Sequence, residues 1–173
     1  IQDKRTQKQF YKDNQLPTSD FVLTDNQADI SNYLDFLPAF HKLGKGGYDG
    51  RGVQRIASAS DLPLAFDAPS LLEKAVDFDK EIAVIVARNV QGQTATFPTV
   101  EMAFHPEANL VEYLFAPAAI SESIDNQAKT IAIEIAQKLG IVGLLAVELF
   151  VTKNGEVLIN EVAPRPHNSG HHT

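Results

Sequence analysis

Two stretches rich in apolar and β-branched residues, Leu144 to Thr152 and Glu156 to Val162, flank the dipeptide Asn154-Gly155. Asn-Gly between such stretches is a strong short-range hairpin signal, because both residues accept the positive φ that a tight turn between twisted strands requires. A two-residue turn at Asn154-Gly155 makes opposed positions sum to 309, which sets Glu148 against Glu161. Directly opposed side chains have Cβ atoms about 4.5–5.5 Å apart, so two carboxylates there repel and something must compensate. A divalent cation would do so, since Mg²⁺ takes one or two protein carboxylates and keeps water and phosphate oxygens as its other ligands. The alternative is a solvent-facing pair screened by water, at a cost of tenths of a kcal/mol to about 1 kcal/mol. The apolar neighbours Leu144 to Val147 and Leu149 to Val151 favour the metal.

The rest of the chain supplies more sheet and a few helices. Glu81 to Arg88, Thr94 to Glu101 and Leu110 to Phe115 are rich in β-branched and aromatic residues and separated by turn signals, so they read as strands. Ser121 opens a helix through Ala128, Ile131, Ile135 and Leu139, closed by Gly140. Upstream, Lys4 to Asn14 reads as a helix ended by Pro17. Thr24 with Gln27 reads as a capping box for a second helix through Ile30, Tyr33, Leu34 and Leu37 that stops before Pro38. Ala39 to Leu43 and Val53 to Ala57 read as strands around the loop Gly44 to Gly52. Strands come in runs without βαβ alternation, which predicts α+β and not a doubly wound parallel sheet. Two lobes are expected, residues 1–70 and 71–173.

Composition removes several classes. Fifteen Lys plus Arg against 22 Asp plus Glu give a formal charge of −7, so no cationic surplus exists to release counterions from a nucleic acid. The absence of cysteine excludes disulfides, thiolate nucleophiles and cysteine-ligated metals, and leaves the cytoplasm as the expected compartment. The longest apolar stretches, Ile82 to Ala87 and Ile141 to Val147, are about a third of the ~20 residues a membrane span needs. The first ten residues are no secretory signal, and both ends read as cuts within a longer protein.

Three further segments carry chemistry. The loop Gly44-Lys45-Gly46-Gly47-Tyr48-Asp49-Gly50-Arg51-Gly52 holds five glycines in nine positions, so its N–H groups can approach phosphate oxygens closely. A strand follows it, which excludes a Rossmann or P-loop turn; the competing reading is a surface hairpin. Lys42, ending the preceding strand, adds a point charge suited to phosphate. Glu73-Lys74-Ala75-Val76, where the lobes meet, offers backbone to a purine edge, and Glu81 could accept from ribose hydroxyls; either Glu could equally be a surface charge at a strand end. The tail after Glu161 puts Arg165, His167, Asn168 and Ser169 just past the metal acid, a guanidinium for planar anions and an imidazole for proton movement. No H-E-x-x-H spacing supports zinc.

These residues, in this order, resemble the N5-carboxyaminoimidazole ribonucleotide synthetases, ATP-grasp enzymes of purine biosynthesis. Lys42 with Gly46-Gly47-Tyr48-Asp49-Gly50-Arg51-Gly52, Glu73-Lys74 with Glu81, Ala146-Val147-Glu148, Asn160-Glu161, and Ala163-Pro164-Arg165-Pro166-His167-Asn168-Ser169-Gly170-His171 carry the likeness over the whole chain. It implies an ATP-grasp fold of two α+β lobes with nucleotide between them. The implied reaction converts ATP, bicarbonate and 5-aminoimidazole ribonucleotide to the N5-carboxylated product, ADP and phosphate, through carboxyphosphate. By the same resemblance Lys42 and Gly47 to Val53 hold the phosphates, Glu73 to Val76 bind adenine, and Glu81 takes the ribose. Asn160 and Glu161 touch the nucleotide, and Glu148 with Glu161 hold Mg²⁺. Arg165 and His167 are the implied catalytic residues, with Tyr48, Asp49, Asn168 and Ser169 completing the substrate pocket. Val53 stands where many members carry Gln, so only its backbone contact is carried over. Phe104 falls near a His of some members and receives no role. Ala163, in place of an Asn two residues past the second metal acid, separates this family from its ATP-grasp cousins. The resemblance also implies a homodimer and flanking N- and C-terminal domains, without which these residues would turn over weakly or not at all. The competing functions are another ATP-grasp ligase, such as a formate-dependent transformylase, and a non-catalytic nucleotide-binding module.

Overall fold

A computed structural model describes residues 3–46, 52–104 and 111–173. The chain divides into two compact units, Ile1–Val76 and Asp77–Thr173. The break falls after Val76 and not near residue 70, because Ser70–Lys74 forms a strand that completes the first sheet.

In the first unit, α1 (Lys4–Asp13) starts where the Asp3 carboxylate accepts from the Arg5 N–H at 2.9 Å, an N-cap that satisfies donors the helix cannot use. Its inward face carries Gln7, Lys8 and Tyr11. Among the described residues four strands follow: β1 (Phe21–Thr24), β2 (Ala39–Leu43), β3 (Val53–Ile56) and β4 (Ser70–Lys74). They pair antiparallel in the order β1-β4-β2-β3. Thr24 ends β1 and is no helix cap. The second helix is a 3₁₀ segment, Gln27–Phe36, opened by a capping box of Asn26 with Asp29. A second 3₁₀ turn spans Ala59–Leu64. Ile30, Ala39, Ile56, Ala65 and Leu72 pack together beneath them.

The described residues of the second unit form six strands: β5 (Phe78–Arg88), β6 (Thr94–Thr96), β7 (Val100–Phe104), β8 (Val111–Phe115), β9 (Gly143–Thr152) and β10 (Val157–Ala163). The sheet order is β10-β9-β5-β7-β8, with β6 also on β5. What reads as one strand from Thr94 to Glu101 is two, divided around Pro98, which has no N–H for a ladder. The long helix α2 (Glu122–Lys138) begins at Ser121, whose side chain accepts from the Ile124 N–H, and Gly140 follows at φ +63°. It packs on β5, β9 and β10 through Ala128, Ile131, Ala132 and Ile135. Leu145, Val147, Leu149 and Val151 are buried on one face of β9, so alternation leaves Glu148 on the other. Among the described residues, no helix is long and apolar enough to cross a membrane.

The β9–β10 hairpin reaches the expected pairing by another route. Its turn closes with Gly155 N–H on the Thr152 carbonyl and Thr152 N–H on the Glu156 carbonyl, both at 2.9 Å, with Gly155 at φ +82°. That is a three-residue loop, Lys153 to Gly155, with the glycine in the left-handed position, and not a two-residue turn. Near the turn the partners are Val157 with Val151 and Ile159 with Leu149. Those pairs are one step off the sum of 309. A bulge between Ile159 and Glu161 inserts the missing residue, after which Glu161 faces Glu148 and Val162 faces Val147.

Candidate functional site

The first unit holds a buried charge cluster. Lys42, from β2, reaches the Glu73 carboxylate of β4 with Nζ 2.6 Å from Oε2. The other oxygen, Oε1, takes Lys8 of α1 at 2.5 Å and accepts from the Ser19 hydroxyl. The Glu73 side chain is 3% exposed, Lys8 is 4% and Lys42 is 15%. Burial pushes the Glu73 carboxyl up, but Lys42 and Lys8, by charge and hydrogen bonds, outweigh it and bring it down to about 2. Glu73 is therefore a carboxylate committed to its own unit's lysines. Any contact it gives a purine is through backbone. There, Lys74 N–H is taken by the Asp20 carbonyl at 2.9 Å and Ala75 N–H by the Pro38 carbonyl at 3.1 Å. Lys74 turns its ammonium over the Phe36 ring, 5.7 Å from the centroid.

Val53 pairs with Lys42 across the β2–β3 hairpin, and the Gly52 carbonyl accepts from Leu43 N–H at 2.9 Å, so this arm of the loop is anchored beside Lys42. Gly47, Tyr48, Asp49, Gly50 and Arg51 lie outside the described residues.

The second unit gathers the tail onto the sheet. Glu148 and Glu161 stand in register on neighbouring strands, and Ala83 of β5 continues their rung. His167 Nε2 lies 3.4 Å from Glu148 Oε1. The Ser169 N–H donates to His167 Nδ1 at 3.3 Å and the Ser169 hydroxyl sits 3.0 Å from the same nitrogen. An accepting Nδ1 places the neutral ring's proton on Nε2, toward Glu148. Ser169 is 1% exposed, in the short 3₁₀ turn Asn168–Gly170 that His167 caps. The bulge residue Asn160 donates its amide to Glu81 Oε1 at 3.2 Å, so these two candidate nucleotide contacts meet. A pocket of about 190 Å³ lies among Ile85, Leu144, Arg165, His167, Asn168 and His171. Arg165 is exposed, its guanidinium 3.0 Å from the Pro166 carbonyl.

Among the described residues, no three or more His, Cys, Asp or Glu gather as a metal cage. Two in-register carboxylates suit a metal such as Mg²⁺, which completes its shell with phosphate and water. Sequence reasoning missed Lys8 and Ser19. The available signal was a lysine at i+4 from Lys4 and three before Tyr11, on the stripe a helix turns inward.

The family model for the ATP-grasp domain matches residues 9–173. The chain belongs to the ATP-grasp family. Over 141 residues this ATP-grasp chain is 43% identical to N5-carboxyaminoimidazole ribonucleotide synthase of Bacillus subtilis, covering 79% of the chain and 37% of that protein. It matches a crystal structure of the ADP complex of N5-carboxyaminoimidazole ribonucleotide synthetase with a TM-score of 0.91 at 39% identity, over 99% of this chain and 47% of the other. A third likeness is to the Aspergillus clavatus N5-carboxyaminoimidazole synthase in complex with ADP and 5-aminoimidazole ribonucleotide. There the TM-score is 0.83 at 27% identity, over 99% of this chain and 46% of the other. The chain spans less than half the length of each of these relatives. The α+β ATP-grasp architecture read from the sequence is thus the fold.

Proposed function

We propose that these residues form the nucleotide- and metal-holding core of an N5-carboxyaminoimidazole ribonucleotide synthetase, which joins bicarbonate to 5-aminoimidazole ribonucleotide at the expense of ATP. The observation that carries this reading is Glu148 in register with Glu161, with His167 seated on Glu148. Glu148 and Glu161 would hold Mg²⁺, which when bound offsets charge that builds on a transferring phosphoryl group. Lys42 supplies the fixed cation on the first unit, with Gly47 to Val53 covering the phosphates. Backbone of Glu73 to Val76 meets adenine, and Glu81 with Asn160 meets the ribose side. Arg165 pairs with the planar bicarbonate anion in two parallel hydrogen bonds. His167, oriented by Ser169, handles the proton released as the exocyclic amine is carboxylated. Tyr48, Asp49, Asn168 and Ser169 bound the ribonucleotide. Likeness to the synthetases also supports a homodimer working in the cytoplasm.

The test is ADP release by the full-length protein. It should require 5-aminoimidazole ribonucleotide and bicarbonate together. Dependence on formate instead would move the chain to a transformylase, and tight ATP binding without turnover would make it a non-catalytic module. The 173 residues alone should turn over poorly, since the relatives are more than twice as long.

A further inference from the structure

The buried Lys8 has no part in the chemistry described above. We infer that Lys8 is a positioning residue that keeps the cluster around Lys42 net cationic toward phosphate by occupying the Glu73 carboxylate from behind. This rests on the reading that Lys42 meets the nucleotide's phosphates.

A lone buried Lys42–Glu73 pair would be neutral and would offer a polyphosphate no net attraction. Here two ammonium groups share one carboxylate, so the cluster carries a net charge of +1. Lys8 meets Glu73 Oε1 at 2.5 Å, Thr18 Oγ1 at 2.6 Å and Ser19 Oγ at 3.0 Å. An ammonium has three N–H groups, so three acceptors engage all of them. Its charge is fixed in place and cannot move to the ligand. Ser19 accepts from Lys8 and donates its hydroxyl hydrogen bond to Glu73, which binds the carboxylate more firmly to the α1 side. Glu73 presents Oε2 to Lys42, at 2.6 Å. Lys42 is the more exposed of the two lysines, 15% against 4%, and so is the one placed to meet a ligand. A carboxylate held from both sides remains ionised, and its orientation aims the Lys42 ammonium.

Replacing Lys8 by Met removes that charge with little loss of volume and leaves Glu73 to neutralise Lys42. ADP affinity of the full-length protein, measured calorimetrically, should fall by about tenfold or more, the scale of one charged hydrogen bond. Adenosine affinity should stay within about twofold, because adenosine lacks the phosphates. The double variant Lys8→Met/Glu73→Gln removes one charge of each sign, restores the net +1 on Lys42 and should recover most of the ADP affinity. A merely structural lysine predicts equal losses for ADP and adenosine and a double variant no better than the single; either result overturns the inference. Should Lys8→Met fail to fold, Lys8→Arg keeps the charge and should bind ADP as the parent does, and an Arg variant that folds yet loses ADP selectively would also overturn it. Lys42→Met separates the two readings. If it leaves ADP binding intact, the phosphate role of Lys42 fails. If it abolishes ADP binding while Lys8→Met does not weaken it, only the role given to Lys8 fails.

Discussion

His41, next to Lys42 on β2, should make the first unit sensitive to mild acid. Its ring is fully buried, with Nε2 3.0 Å from Thr24 Oγ1 and Nδ1 accepting the Phe66 N–H at 3.2 Å. Both nitrogens thus suit the neutral ring, with the proton on Nε2. Burial lowers its pKa from 6.5 to about 4. The unfolded chain binds a proton near pH 6.5 and the folded chain does not until about pH 4. Stability from this group is therefore complete above pH 6.5 and lost as pH falls toward 4. At about 1.4 kcal/mol per pH unit the whole loss is about 3 kcal/mol, of which about 2 kcal/mol is gone by pH 5. Glu73 adds its own loss only below its ordinary 4.5, so a comparison ending at pH 5 isolates the histidine. Urea unfolding followed by circular dichroism, from pH 7.5 to 5, should show this slope in the parent. His41→Gln keeps an amide near Nε2 but does not titrate; whatever it costs at pH 7.5, its stability should fall about 2 kcal/mol less over the range. Parallel profiles for parent and variant would refute the assignment.

Other substitutions address the second unit. Glu161→Gln, which leaves Glu148 as the lone carboxylate of the pair, should lower kcat for ADP formation by about 10²–10³-fold; an unchanged rate would remove the metal role. Ser169→Ala keeps the backbone donor to His167 but loses the hydroxyl at 3.0 Å, so kcat should drop roughly tenfold with KM for ATP unchanged. A KM change alone would contradict a role in orienting the imidazole. Ile135→Ala, at a fully buried position of α2, should cost about 2–5 kcal/mol in urea unfolding, and a cost well under 1 kcal/mol would show that the helix does not seal the sheet.

The second unit was more legible than the first. Ser121, the Ile131 and Ile135 stripe and Gly140 mark α2 because cap, period and stop agree within one segment. The Glu148–Glu161 pair was also legible, yet its register at the turn was not. A Gly-containing turn admits either two or three loop residues, and the bulge at Asn160 that restores the pairing has no local signature. In the first unit, Phe21–Thr24 and Ser70–Lys74 pair with each other across more than forty residues. Short strands so far apart give no periodicity a local reading can use, which is why Thr24 read as a helix cap. Lys8 was hidden for a related reason: a lysine reads as solvent-facing until the distant Glu73 is brought against it.

A crystal of the full-length protein grown with Mg²⁺ and a non-hydrolysable ATP analogue puts the two acids to the proof. Density for an ion bridging Glu148 and Glu161 to phosphate oxygens, at about 2.0–2.1 Å from each ligand, is the expected outcome. An ion bound to the phosphates alone, with both carboxylates turned to water, would contradict it.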